Sequence, residues 1–522
     1  MAANMTKTPQ PAATITTADK LKTVSDIALV ADDLRRDGKR LALAHGVFDL
    51  LHMGHVRHLE EARSHGDILI VSITPDHLVN KGPGRPVFGE GMRAEMVAAL
   101  ACVDWVVINE APTAEAIIES VKPDAYVKGP DYAQAADDVT GKIIAEQLQV
   151  EAHGGQIIFT DDITFSSSTL INRHLNPFDT SARAFIDIMR DDLQEKPLLD
   201  LLDRAANLRV LVVGEAIMDE YRYVQPMNKT PKENLVATLY QSAEVFAGGA
   251  VATANHAAAI CDHVDLLTII GDDAHGASLE QRVKSNVRLN AVTRPNAPTV
   301  SKVRYVDAGE MRKIFEVYHM NDQPLAEAQR SEIDDFIRAR GGDYDLIIVN
   351  DFGHGMIADS TVDTLITSAK FLAVNTQTNS GNFGFNLISK FPRADYVCID
   401  TPEARLATHN KTGSIESLLT DRLVAMLPGA KIVVTQGKDG CLAFAADEPL
   451  CQIPAVADKI IDTVGAGDAF LAITAPLVAA GGEMRQVGFM GNIAGALKVG
   501  IIGHRHSLDK ISMIKAVVAM LK

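Results

Sequence analysis

Short, continuous apolar runs separated by amphipathic stretches recur along most of the chain, and few architectures accept that rhythm. Leu41–Ala44, Ile68–Ile73, Trp105–Ile108, Ala125–Lys128 and Gln156–Phe159 read as buried strands. A strand of alternating polarity has one wet face, whereas a continuously apolar strand needs cover on both. Between the strands, Val56–Ser64, Met92–Ala101 and Thr113–Ser120 carry helical periodicity. The alternation predicts an α/β fold, a parallel sheet with helices on both faces.

The rhythm pauses near Asn176. From there to Asn207 the chain is charged and helical in pattern (Ala182–Leu193, Pro197–Ala206), which reads as a connector. A second α/β series opens at Arg209–Gly214 and includes Val264–Ile269, Leu346–Val349, Phe371–Val374 and Ile432–Thr435. Two polar, β-like stretches, Asp219–Ala247 and Val300–Val317, interrupt it and predict a small separate sheet. With 522 residues the chain exceeds the ~250–300 that one core usually supports. The expected division is a disordered tail at 1–19, a first domain at 20–174, a helical linker at 175–207 and a second domain at 208–522.

Charge and cysteine usage narrow the function classes. A formal net charge of -17 argues against duplex nucleic acid or an anionic membrane as the main partner. Five scattered cysteines, none in CxxC spacing, give neither a disulfide framework nor a zinc site. No apolar run reaches the ~18 residues of a membrane span, so the cytoplasm is the expected location.

The sharpest local signal is AHGVFDLLHMGH, Ala44–His55. A strand runs into Gly46, a loop carries Phe48 and Asp49, and a helix opens near Gly54. His52 and His55 stand three apart, on one face of that helix start. Free amide hydrogens at a helix N-terminus suit a phosphate, and two imidazoles can donate to a phosphate whose charge is rising. Zinc is disfavoured, because the two histidines have no cysteine or convergent acid nearby. His45 and His58 receive no role.

This segment resembles the cytidylyltransferase-like nucleotidyltransferases, with their GxFDxxHxGH signature, over roughly Leu21–Asn172. It is nearest to the branch that activates heptose 1-phosphate. The resemblance implies that Lys81, Arg85, Arg93 and Lys128, together with Ser167, Ser168 and Thr169 of FSSSTLI, surround a nucleotide triphosphate with Gly46, Phe48, Asp49 and Gly54. His52, His55 and Lys81 would act directly on the phosphates. Arg93 as a solvated helix face, and Ser168 and Thr169 as plain helix caps, are the alternatives. The implied reaction is in-line displacement at the α-phosphate of ATP, or of CTP, with Mg²⁺.

The second signal is DTVGAGDAF, Asp462–Phe470, ahead of an apolar helix at Phe470–Ala480. Gly465 and Gly467 allow a turn whose amides converge on an anion, and Asp468 falls in the first helical turn behind them. A carboxylate there can take a proton from a substrate hydroxyl while the amides hold the transferred phosphoryl group.

The string resembles the ribokinase-like (PfkB) carbohydrate kinases over roughly Leu208–Lys522. That resemblance implies Asp468 as base. It implies nucleotide and anion contacts at Thr435, Gly437, Gly440, Thr463, Gly465, Ala466, Gly467 and Asn492. Sugar contacts would come from Asp219, Gly248 and Gly249, a metal contact from Glu403, and a monovalent cation such as K⁺ at Asp462. A turn-capping role is the alternative for Asp219, and a helix-start turn for Gly248-Gly249.

Two departures concern sugar and metal contacts. The family's GGAAN reads GGAVA here, with Ala252 in the asparagine position and Asn255 one turn later. A D-P-K triplet is replaced by the amide-rich Asn375–Asn386 stretch. The expected whole is a cytoplasmic bifunctional enzyme, a sugar kinase joined to a sugar-1-phosphate nucleotidyltransferase. It would make an ADP-heptose-like product from nucleotide triphosphates and sugar phosphates, as a homodimer or larger homo-oligomer. Two rivals stand beside it: a CTP-dependent transferase for another sugar or polyol phosphate, and a C-terminal half that senses or dimerises without catalysis.

Overall fold

The computed structural model describes residues 16–79, 85–129, 143–160, 180–192, 195–230, 233, 235–457 and 460–521. The chain divides into two compact units, Met1–Asn176 and Pro177–Leu521.

The first unit is a six-stranded sheet. Its strands are β1 (Leu21–Lys22), β2 (Leu41–Gly46), β3 (Ile68–Ile73), β4 (Trp105–Ile108), β5 (Ala125–Lys128) and β6 (Gln156–Phe159). All pair in parallel, in the order β1-β4-β3-β2-β5-β6. Period-two alternation sends Ala42 and Ala44 into one apolar layer with Leu59, Ala62 and Val97. Leu41 and Leu43 enter the other, with Ile27, Ile117 and Val121. Both faces are covered, as the apolar strands require. The chain winds outward from β2 through β3 and β4, then returns to the other side of β2 with β5. The carboxyl end of β2 therefore lies at a topological switch point, where open α/β sheets bind ligands.

The second unit carries a nine-stranded sheet and a four-stranded one. The larger contains β7 (Arg209–Gly214), β10 (His263–Gly271), β11 (Val287–Arg294), β14 (Leu346–Asp351), β15 (Leu372–Thr376), β16 (Tyr396–Asp400), β17 (Lys431–Thr435), β18 (Cys441–Ala445) and β19 (Glu448–Ile453). Their order is β11-β10-β7-β14-β15-β16-β17-β18-β19, with only the β17-β18-β19 edge antiparallel. Val210 and Val212 face one core and Leu211 and Val213 the other. Winding reverses between β7 and β14, which places a second switch point there.

The small sheet forms from the polar, β-like stretches. Its strands are β8 (Ala216–Lys229), β9 (Val236–Gly249), β12 (Ser301–Asp307) and β13 (Lys313–His319), in the order β13-β12-β8-β9.

Two expectations change. The segment read as a connector forms helices at Thr180–Asp192 and Lys196–Ala206, whose Phe185, Ile186, Met189, Leu198, Leu201 and Leu202 lie in the second unit's core. Their apolar stripe needs a partner, and the apolar helix Ala466–Ala479 is part of the same core. The end of the supposed tail is also ordered. Thr16 caps a helix at Thr17–Lys20, and Leu21–Lys22 then pairs with β4. Residues 1–15 of that expected tail lie outside the described residues.

Candidate active sites

At the end of β2 the chain turns through Phe48, which takes a left-handed conformation at φ 50°, and enters the helix Met53–Ser64. His52 is its N-cap. The Nδ1 atom of His52 accepts the Gly54 N–H at 3.1 Å, and the His52 N–H makes a longer contact of 3.4 Å with His55 Nδ1. The corner therefore does not offer Gly54's amide to a phosphate, as the sequence suggested, because a histidine side chain already takes it. The same bonds fix both rings. With Nδ1 accepting, a neutral imidazole carries its proton on Nε2. The two ring centroids are 4.1 Å apart, tilted by 35°.

Asp49 and Arg85 hold the loop beside this pair. The Arg85 Nη1 atom donates to Asp49 Oδ2 at 2.8 Å, and Asp49 Oδ1 accepts from the backbone of Val87 at 2.6 Å. Arg85 Nη2 is buried and has no partner among the described residues. Arg93 is neither a solvated helix residue nor an open phosphate donor. It is fully buried, and its guanidinium donates to the carbonyls of Val47, Thr74 and Phe88 and to Asp76. It positions the loops around β2. Lys128 is buried against Glu146 at 2.7 Å. His45 and His58, given no role from sequence, lie 3.0 Å from Ser72 and Thr160 respectively. Lys81, Ser167, Ser168 and Thr169 lie outside the described residues.

The second corner is open. The helix Ala466–Ala479 begins after Gly465, which is left-handed at φ 77° and supplies no side-chain cap. The Ala466 N–H reaches Thr463 O at 3.3 Å, and no side chain caps the amides of Gly467 and Asp468 behind it, which suits an incoming phosphoryl group. A side chain at 465 would collide with the ring of His504. Asp468 sits in that first turn and accepts from Asn350 Nδ2 at 2.9 Å, and the same nitrogen contacts Thr253 Oγ1 at 2.7 Å. Burial pushes the Asp468 carboxyl up to about 6. The Asn350 hydrogen bond opposes the rise and the Asp219 charge adds to it. A carboxylate with that pKa is ionised at neutral pH yet basic enough to receive a hydroxyl proton.

Asp219 faces the same space from β8. Its carboxylate is paired with Arg304 and lies 3.6 Å from His504 Nε2. It also occupies the place where a side chain at 248 would stand, so Gly248 is required by the acid it pairs beside. Gly249 then ends β9 at the start of helix Ala250–Ala257. Register explains the neighbours. Lys302 of β12 aligns with Asp219, and Arg304 with Tyr221, so alternate residues of β12 share the face that carries the acid. The Lys302 ammonium is buried, 5.1 Å from the Tyr318 ring and 5.9 Å from that of Phe352. Burial pushes His354 and His504 down to about 4, so both rings are neutral at pH 7. Sequence reasoning missed Lys302, Arg304, Asn350, His354 and His504. The signals on offer were the K-x-R spacing in β12 and the DFGHG string at Asp351–Gly355, which holds His354.

Several assignments receive a different place. Asn255 does not stand in for the missing asparagine, because its side chain bonds the backbone of Arg282 and Lys284 at 2.9 Å each. Ala252 instead borders a cleft of about 500 Å³ lined also by Phe246, Lys284, His504 and Arg505. The Asn375–Asn386 stretch wraps the Asp351–Gly355 loop. Asn379 and Asn382 each donate to Phe352 O at 2.8 Å, and Asn386 to Asp351 O at 2.8 Å. Glu403 is no open metal ligand. It closes a capping box with Asp400, which burial and the Asp400 charge accompany by raising its pKa. Among the described residues no group of three His, Cys, Asp or Glu side chains converges as a metal site.

The loop at Thr435–Gly440, expected from sequence to meet a nucleotide, is a short turn after β17 with Gly437 and Gly440 at positive φ. Asn492 turns its amide to the carbonyls of Ile453 and Pro454, at 3.1 and 2.9 Å. Asp462 is saturated by the protein. It accepts from Lys313 Nζ at 2.6 Å, Tyr221 OH at 2.7 Å, Gly503 N at 2.8 Å and Val464 N at 3.1 Å, and its pKa falls to about 2 because these bonds outweigh burial.

Residues 207–511 match the pfkB family of carbohydrate kinases, and residues 43–174 match the cytidylyltransferase-like family. In its N-terminal part the chain is 40% identical over 154 residues to the Bifunctional protein HldE of Geotalea uraniireducens, 29% of this chain and 30% of that protein. The protein of the same name from Aliarcobacter butzleri is 42% identical over 132 residues, 25% of this chain and 27% of its own length. The matched stretch thus spans less than a third of these relatives. Phosphofructokinase-2 from Escherichia coli, in a crystal structure with potassium, superposes with a TM-score of 0.50 at 14% identity, over 60% of this chain and 100% of that one. That likeness concerns the fold alone. On the span of the match and the open corner at Gly465, the chain belongs to the pfkB family of carbohydrate kinases, and its first unit is a cytidylyltransferase-like domain.

Proposed function

We propose that the chain is a bifunctional enzyme that builds a nucleotide-activated sugar, of the ADP-heptose kind. The second unit phosphorylates a sugar phosphate at its anomeric hydroxyl with ATP. The observation that carries this reading is the placement of Asp468 behind an uncapped helix start, with Asp219 facing the same space. Asp219 and its neighbours orient the sugar, Asp468 receives the hydroxyl proton, and the first-turn amides of Ala466–Ala479 hold the phosphoryl group in flight. His504 and His354, neutral and buried, offer hydrogen bonds without adding charge.

The product is a sugar bisphosphate; once a separate phosphatase has removed its other phosphate, the first unit joins the resulting sugar 1-phosphate to a nucleotide. The phosphate oxygen attacks the α-phosphorus, pyrophosphate leaves, and the Nε2–H groups of His52 and His55 stabilise the charge that develops. Mg²⁺ in both reactions is part of the proposal. It neutralises phosphate charge when bound, and it would arrive with the nucleotide, since Asp400 and Glu403 are committed to their helix cap. The compartment is the cytoplasm. The assembly is a homodimer joined through the small sheet, whose Leu239, Tyr240 and Phe315 are exposed. No helix of the described residues is long and apolar enough to cross a membrane.

Pyrophosphate release from ATP and from CTP, measured against a panel of sugar 1-phosphates, tests the transferase. Release with ATP and a heptose 1-phosphate is expected. Release only with CTP, or only with another phosphate, would replace the ADP-heptose assignment.

A further inference from the structure

The fold family raises the expectation of a monovalent cation at Asp462, and the residues present do not fit one. Four protein donors already saturate that carboxylate, one of them the Lys313 ammonium. A second ammonium lies one step further in. Lys498, near the end of the helix Met484–Val499, is fully buried. Its Nζ donates to Val464 O at 2.7 Å and to Gly503 O at 2.7 Å. Val464 belongs to the anion turn itself, immediately before Gly465, and Gly503 precedes His504, which packs on that turn.

We infer that the Lys498 ammonium is a built-in monovalent cation for the anion turn, so that the second unit works without added potassium. The inference rests on the kinase reading of that unit. Its acceptors are main-chain carbonyls, the ligands a bare alkali ion would take from such a loop. Among the described residues no carboxylate lies within ion-pair distance of Lys498, and an ammonium held only by neutral groups is expensive to bury. Such a residue is out of place as packing. It has a purpose beside a turn that must hold a phosphoryl group, where one positive charge adds to the field of the first-turn amides. Asp462, Asp468 and Asp219 also draw positive charge toward this spot, against the burial that lowers the Lys498 pKa. The side chain delivers the charge without the entropy of capturing an ion.

The test compares the full-length protein in KCl and in tetramethylammonium chloride at equal ionic strength. Two readouts are taken: calorimetric binding of the Mg²⁺ complex of a non-hydrolysable ATP analogue, and ATP consumption with a heptose 7-phosphate. Wild-type protein is expected to change less than about twofold between the salts. Lys498→Ala is expected to bind the analogue about tenfold more weakly in tetramethylammonium chloride and to recover much of that loss in KCl, as the vacated site admits an ion. A wild type that gains about tenfold or more from potassium would overturn the inference, as would a Lys498→Ala protein that binds normally without it. Should the variant not fold, the wild-type comparison decides alone. Wild type that binds the analogue yet consumes no ATP with any sugar phosphate would sink the substrate assignment and leave the cation inference to the binding data.

Discussion

One residue of the first unit does two jobs that mutation can separate. His52 caps a helix through Nδ1 and, in the proposed reaction, donates from Nε2. Asn is a good cap but has no group in the Nε2 position. His52→Asn should therefore keep the thermal stability of the first unit, whereas His52→Ala should lose about 1 kcal/mol with the cap. Both should lower pyrophosphate release by about 10²-fold. Equal activity in the Asn variant and wild type would remove His52 from the chemistry. In the second unit the sign of the pH effect follows from Asp468. Its carboxyl is raised to about 6, so the base is protonated below that pH and ionised above it. Kinase kcat/KM should fall about tenfold per pH unit below 6 and level off above it. Asp468→Asn should reduce ATP consumption by about 10³-fold and leave pyrophosphate release from the first unit unchanged. An acid limb near pH 4, the ordinary carboxylate range, would mean that another group limits the reaction.

At the scale of elements, the small sheet decides how the proposed sugar site is walled. Parallel register sets Lys302 beside Asp219 and Arg304 beside Tyr221, while antiparallel register sets Phe246 opposite Asp219. The acid fits only because Gly248 has no side chain, and the pair Asp219–Gly248 is therefore one unit of design. Gly248→Ala should displace the Asp219 carboxylate and weaken its pairing with Arg304. Sugar KM is expected to rise about tenfold or more, with ATP binding little changed. An unaltered KM would mean that the carboxylate does not touch the sugar. The amide-rich stretch at Asn375–Asn386 illustrates the same scale. Its side chains satisfy the carbonyls of the Asp351–Gly355 loop, where buried backbone groups would otherwise lack partners.

At the scale of the molecule, the helices Thr180–Asp192 and Lys196–Ala206 belong to the second unit. Six large apolar side chains from them enter its core, a gross contribution on the order of 10 kcal/mol. A protein beginning at Thr180 should fold and unfold cooperatively, whereas one beginning at Leu208 should expose the apolar surface those helices cover and aggregate. Equal thermal midpoints for the two would show that the helices are dispensable. Each unit holds its own switch point and its own corner, and the chemistry assigned to each needs only residues of that unit.

The parts written in contiguous residues were legible without coordinates. Strand β3 at Ile68–Ile73 and strand β7 at Arg209–Gly214 have the limits that their apolar runs suggested. Asp468 lies in the first helical turn, as the glycine spacing implied. These features are local, because hydrophobic period, glycine position and capping chemistry act within a few residues of each other. What only the tertiary structure decided came from residues far apart in the chain. It made Arg93 a buried clamp, turned Gly54's amide inward to His52, engaged Asn255 with a neighbouring loop, and brought Asn350, Lys302, His504 and Lys498 around one turn. A polar side chain's role depends on which donors and acceptors the folded chain leaves within about 3 Å of it, and no local pattern records that distance.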